Sequence, residues 1–179
     1  MPHIQLLNDQ LPGIVGLLDY RRETAQPLSA LAEILLRGDS TLSSGEREMI
    51  ASYVSFKNEC HFCHSSHGAA AAAHLNKDAN FLDDIKLGFV KTPVSAKLRA
   101  LLNIAAHVQQ GGKKVTEADV AAARKEGATD REIHDTVLIA AAFCMYNRYV
   151  DGLGTWAPPG NDAYMPMGER LAKEGYMGY

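Results

Sequence analysis

Cysteine is scarce in this chain, with three in 179 residues. So few, and an odd number, cannot build the disulfide framework of a small secreted domain. An excess of one charge is also missing. Eighteen basic residues face 21 acidic ones, a net charge of −3. The sequence therefore carries no electrostatic footprint for nucleic acid or for an anionic membrane surface. No uninterrupted apolar run approaches the roughly 18 residues that a membrane-spanning helix needs. The N-terminal stretch lacks the basic, apolar and small-residue segments of a secretory signal, so a cytoplasmic chain is expected. In that compartment a close cysteine pair points to redox or metal chemistry more than to a permanent staple.

What is present is ordinary globular material, 46% apolar and 22% charged. That is close to average usage, and the chain is long enough to bury a core without cross-links. A single domain over 1–179 is expected, with an N-terminal arm over 1–26 and an irregular tail over 152–179. The tail holds six glycines and three prolines in 28 residues.

Between arm and tail the apolar spacing is helical throughout, and no segment of useful length alternates with the period of a strand. Leu28, Leu31, Ala32, Leu35 and Leu36 predict a helix over 27–37 that ends at Gly38. Ser43 and Glu46 form a capping-box pattern ahead of the Met49, Ile50, Tyr53, Val54 stripe. A further helix starts near Cys60 and runs through five alanines, Ala69 to Ala73. Leu82, Ile85 and Phe89 suggest a short helix. A longer one follows Pro93 and stops at Gly111-Gly112. Thr116 with Asp119, and Thr129 with Glu132, open the next two. The last of these, about 130–150, is apolar on all sides between Val137 and Phe143 and is expected to be the central buried helix. A short helix is expected near 166–174. The fold class is all-α, built of stacked helical hairpins.

Two of the three cysteines fall in Cys60-His61-Phe62-Cys63-His64-Ser65-Ser66-His67. On a helix starting near Cys60, the positions Cys60, Cys63, His64 and His67 share a face. Both sulfurs then lie on the first turn, where unpaired backbone N–H groups favour a thiolate. A helix end contributes about 0.3–1 kcal/mol, against roughly 1.4 kcal/mol for one pKa unit. That falls short of making a thiol predominantly ionised at neutral pH, so a nearby base is needed. His67, four residues after Cys63, is placed to serve. A redox dithiol is the leading reading of the cluster. A c-type haem site (Cys60-x-x-Cys63-His64), a zinc site through Cys60, Cys63 and His67, and a pair of inert buried thiols are weaker ones. Cys144, in the apolar helix, reads as an inert core thiol. Trp156, Tyr164, Tyr176 and Tyr179 read as packing anchors.

Glu48, eleven residues, then Cys60-x-x-Cys63-x-x-x-His67 resembles the AhpD-like branch of the carboxymuconolactone decarboxylase superfamily. The stretch 42–51 is similar to that family's corresponding helix start. The segments 116–123, 129–133 and 146–154 resemble its peroxidase-related subgroup. The resemblance covers about residues 30–178. It implies an AhpD-like helical bundle, oligomeric as a dimer, trimer or hexamer of identical chains, that reduces hydroperoxides through a dithiol in antioxidant defence. By resemblance, Cys63 is the attacking thiolate, Cys60 the resolving thiol, and His67 with Glu48 a proton relay, through water. No metal or bound cofactor is implied. The partners implied are a hydroperoxide substrate and an external dithiol, lipoyl-bearing or thioredoxin-like. One position departs from AhpD proper: Phe62 stands where a histidine directly precedes the second cysteine.

On the residues alone the nucleophile stays open, since in thioredoxin-like CxxC sites the first cysteine attacks. Cys63 is preferred for its spacing to His67 and by resemblance. A relay further requires a hairpin turning near 59–60. Glu48 and His67 are then offset by roughly 6 Å along the helix axes at 1.5 Å per residue, a distance for one bridging water or a long carboxylate. On a helical wheel Glu48 groups with Ser52, Ser55 and Glu59, either as a solvated face or as a site lining. The alternatives are a disulfide reductase or thiol-redox sensor with little peroxidase turnover, a non-redox carboxymuconolactone decarboxylase-like enzyme, and a zinc-stabilised interaction module.

Overall fold

The structure, a computed structural model, describes residues 1–178. These contain nine α-helices, two 3-10 turns and no strand, in agreement with the all-α expectation. Tyr179 lies outside the described residues. None of the described helices is long and apolar enough to cross a membrane.

α1 (Ile14–Tyr20) and α2 (Arg22–Arg37) lead into a tight hairpin of α3 (Ser44–Lys57) and α4 (His61–Leu75). α5 (Asn80–Lys86) packs on that hairpin. α6 (Ala96–Gln110), α7 (Glu117–Lys125) and α8 (Asp130–Gly152) form the next group, with α6 and α8 both against α3. α9 (Met165–Glu174) returns along α4. Three of these helices open with complete capping boxes, Ser43 with Glu46, Thr116 with Asp119 and Thr129 with Glu132. Each cap contributes about 1 kcal/mol from purely local contacts.

Three elements differ from the sequence expectations. α2 begins at Arg22, inside the expected arm, and carries Pro27 within it. Proline removes one helical hydrogen bond, but Pro27 and Glu23 are both exposed, so water can solvate the carbonyl left without its donor. The arm itself is stitched down. His3 N–H donates to the Leu153 carbonyl, Gly13 N–H to that of Trp156, and the Trp156 indole to that of Asp9.

The central buried helix is α4, not α8. Leu138, Ala141 and Met145 of α8 face solvent, whereas α4 is buried over most of its length from Phe62 to Ala72. The reason is side-chain size. The Gly68, Ala69–Ala72 stretch lets α3, α5 and α9 approach from different sides, and large side chains in α8 do not allow that on every face.

Candidate active site

α3 ends in a turn whose tip, Glu59, has φ of 62°. A left-handed non-glycine residue costs on the order of 1–2 kcal/mol. The turn is held by Glu59 N–H donating to the Phe56 carbonyl at 2.9 Å and Cys60 N–H to the Ser55 carbonyl at 3.0 Å. These bonds satisfy the last carbonyls of α3. They also make Cys60 the N-cap residue of α4 and place Cys63 on its first turn. Both thiols are free, with Cys60 0% and Cys63 3% exposed.

The Cys60 thiol is hydrogen-bonded to Cys63. That bond first, and burial second, push its pKa upward, so Cys60 keeps its proton and presents it to the other sulfur. The Asp151 carboxylate at the end of α8 also reaches Cys60; burial raises its pKa and the contact with the thiol opposes the rise.

Seven residues along α4 from Cys60, His67 Nδ1 lies 2.7 Å from Glu48 Oε2. Glu48 is 1% exposed. An ionised carboxylate only accepts, so Nδ1 carries the proton and Nε2 is left as the basic nitrogen. The His67 ring meets Phe143 edge-on at 4.5 Å between centroids. On its other side the Tyr176 ring lies nearly parallel, at 5.8 Å and 12°. The Tyr176 hydroxyl donates to Glu48 Oε1 at 2.5 Å and stands 3.3 Å from His67 Nδ1. Of the two links that the axial offset allows, a bridging water or a long carboxylate, the second is found: the carboxylate reaches the ring directly. Gly68 explains the close approach of the two helices: a Cβ there would lie 3.1 Å from Ser52 Oγ of α3. The Glu48, Ser52, Ser55 face of α3 is therefore a packed interface and not a solvated one, and Glu59 alone of that group is exposed.

Cys63, Ser66 and His67 open onto a cavity of about 60 Å³ walled by apolar side chains, among them Ile14, Leu18, Phe62, Phe143 and Met167. One water needs roughly 10–15 Å³ of such space, so the cavity admits a few water-sized molecules or one small organic one. Its floor is cysteine and its roof is the N-terminal arm. Phe62 has a defined packing role here. Its ring lies so close to Gly13 that a Cβ at that glycine, itself at φ +53°, would overlap it at 2.2 Å, and its other neighbour is Tyr164.

His64 does not join the Cys63–His67 face. It turns toward α3, with Nδ1 3.0 Å from Ser52 Oγ and its ring against Phe56. It is 2% exposed, and burial pulls its pKa down from 6.5 to about 4. The unfolded chain therefore binds a proton at His64 that the folded chain refuses between those values. Stability is full above about pH 6.5 and is lost as pH falls toward about 4. His64→Gln removes that slope. The stability difference between wild type and His64→Gln should change by about 2 kcal/mol between pH 7.5 and 5.0 in urea unfolding.

The structure thus brings Cys60, Cys63, His67 and Glu48 together and sets His64 aside. Tyr176, read from sequence as a packing anchor, is part of the cluster. Nothing in its local sequence marks it except the glycine before it. Cys144 is half-buried and its sulfur accepts from Asn58, which also bonds Asn147; this network ties α3 to α8. Among the described residues, no group of three His, Cys, Asp or Glu side chains is disposed to hold a metal ion.

A sequence model described as the carboxymuconolactone decarboxylase family matches residues 78–157. The match begins after the cysteine pair, so Glu48, Cys60, Cys63 and His67 all lie outside it. No curated protein matches the sequence. Among solved structures, one from Ralstonia eutropha JMP134, described as an alkylhydroperoxidase AhpD core and an uncharacterized peroxidase-related protein, is 30% identical. The alignment covers 89% of this chain and 82% of that one, with a TM-score of 0.76. An uncharacterized peroxidase-related protein from Silicibacter sp. TM1040 is 28% identical, with 92% and 91% covered and a TM-score of 0.75.

Proposed function

This chain belongs to the AhpD-like branch of the carboxymuconolactone decarboxylase superfamily, and from that premise we propose that it is a thiol-dependent hydroperoxide reductase. The observation that carries the reading is the pairing of a buried dithiol, of which Cys63 lines a cavity, with a histidine oriented by a buried carboxylate. A CxxC pair alone would serve disulfide exchange equally well. A small, mostly apolar cavity over Cys63 suits a small hydroperoxide better than a protein disulfide.

In this reading His67 Nε2 takes the Cys63 proton, and Glu48 stabilises the imidazolium that forms. The thiolate attacks the terminal oxygen of the hydroperoxide and the O–O bond breaks. Cys63 becomes a sulfenic acid, and the leaving alkoxide takes the proton from His67 to give an alcohol, or water if the substrate is hydrogen peroxide. Cys60 then attacks the Cys63 sulfur. A disulfide forms, and the expelled hydroxide leaves as water with the Cys60 proton. The pair has transferred two electrons to the peroxide. An external dithiol restores it by exchange, itself becoming a disulfide. The chemistry needs no metal or organic cofactor, and an assembly of identical chains in the cytoplasm is the proposed setting.

The test is a count of thiols. Fully reduced protein mixed with hydrogen peroxide or a short alkyl hydroperoxide should lose two thiols per peroxide consumed. If peroxide leaves the thiols untouched, the reading is wrong. Glu48→Gln keeps the size of the side chain but removes the charge that holds the imidazolium. It should slow thiol loss by roughly 10²-fold, the scale of a positioned acid–base contribution, as followed in single turnover.

A further inference from the structure

We propose that Tyr176 is a positioning residue for the Glu48–His67 pair, held in place by a Glu33–Arg37 clasp on α2. This rests on the reading above that His67 serves Cys63.

The clasp is built from two side chains one helical turn apart. Arg37 Nε pairs with Glu33 Oε1 at 3.1 Å, and Arg37 Nη1 donates to the Leu171 and Ala172 carbonyls at the end of α9. The other oxygen, Glu33 Oε2, accepts the backbone N–H of Tyr176 at 2.8 Å. Between these anchors the chain turns at Gly175, with φ of +79°. A Cβ there would fall 2.3 Å from Glu33 Oε2. Glycine is thus required twice over, for the left-handed backbone and for the close approach of the carboxylate. The turn drives Tyr176 inward to 7% exposure, where it also lines the cavity over Cys63.

The phenol addresses a specific problem. A carboxylate as buried as Glu48 needs hydrogen-bond donors in place of the water it has lost. His67 supplies one on Oε2 and Tyr176 supplies one on Oε1. With the phenol gone, this buried carboxylate loses the donor on Oε1, and the Nδ1–H···Oε2 bond that fixes the His67 tautomer and leaves Nε2 as the base is held less firmly. Among the described residues, Arg47, its neighbour in α3, and His74 on α4 also act electrostatically with Glu48. Both are unchanged when only the phenol is removed.

The measurement is alkylation of Cys63 by iodoacetamide in the reduced full-length protein across pH, read by peptide mass. It reports the thiolate without using peroxide, so it stands even if the peroxide assay fails for wild type. Tyr176→Phe keeps the ring and its stacking on His67. Its alkylation midpoint should move up by about one pH unit, and its rate near pH 7 should fall about 5- to 10-fold. Glu33→Gln, remote from the cavity, should shift the curve in the same direction by less. A Tyr176→Phe curve that superposes on wild type, or moves down, overturns the positioning role and makes the ring a packing element only. An unshifted Glu33→Gln curve overturns the clasp.

Discussion

Cys63→Ser should leave the reduced protein inert toward hydroperoxide, with thiol loss slowed by roughly a thousandfold or more. A serine hydroxyl in the same place holds its proton at neutral pH and lacks the nucleophilicity of sulfur. Cys60 cannot substitute, because it is 0% exposed and its hydrogen bond to Cys63 and its burial keep it protonated. Cys60→Ser should behave differently. Cys63 still reacts, but only once, and the chain stops as a sulfenic acid that a dimedone adduct captures in the mass spectrum. The pair of variants assigns the order of attack. If Cys60→Ser proves inert and Cys63→Ser gives the trapped adduct, the roles are reversed and His67 does not serve the attacking thiol.

The second large effect is on stability. Gly168→Val should lower the unfolding free energy by about 2–4 kcal/mol, with a melting temperature roughly 5–12 °C lower. Gly168 is where α9 crosses α4. A Cβ there would sit 2.3 Å from the Ala69 carbonyl carbon and 2.6 Å from its Cβ. The conflict is with backbone, so no rotamer change relieves it and the helices must separate. Separation also loosens the tail that carries Tyr176. Gly152→Ala is the control, since nothing lies within 4 Å of a Cβ there. Thermal melts of both variants check the packing. A Gly168→Val protein as stable as wild type would falsify the α4–α9 contact as described.

The order and starts of the helices were legible because they depend on near neighbours in sequence. Ser43 with Glu46, Thr116 with Asp119 and Thr129 with Glu132 are caps three residues apart, and all three form. The spacing of Cys60, Cys63 and His67 was legible for the same reason: one helix carries them, and its first turn is set by a local signal. The start of α2 was not legible: the expected helix was placed from the apolar stripe that begins at Leu28, and the first turn from Arg22 carries no such stripe. The apolar middle of α8 was misleading for a different reason. Hydropathy counts side chains, whereas burial depends on which helix has side chains small enough to be approached from several directions. In this fold that helix is α4.

By itself, then, the sequence determined an all-α chain, the places where most of its helices begin, and a dithiol with a histidine one turn further along the same helix. Only the tertiary structure decided that Glu48 touches His67 without a water between them, that His64 turns away, and that Tyr176 completes the cluster. The physical reason is the range of the interactions. Capping and periodicity act within a turn or two of the chain. Tyr176 meets His67 across 109 positions of sequence, and no local propensity records a contact that forms only when α2, α3, α4 and the tail have all packed.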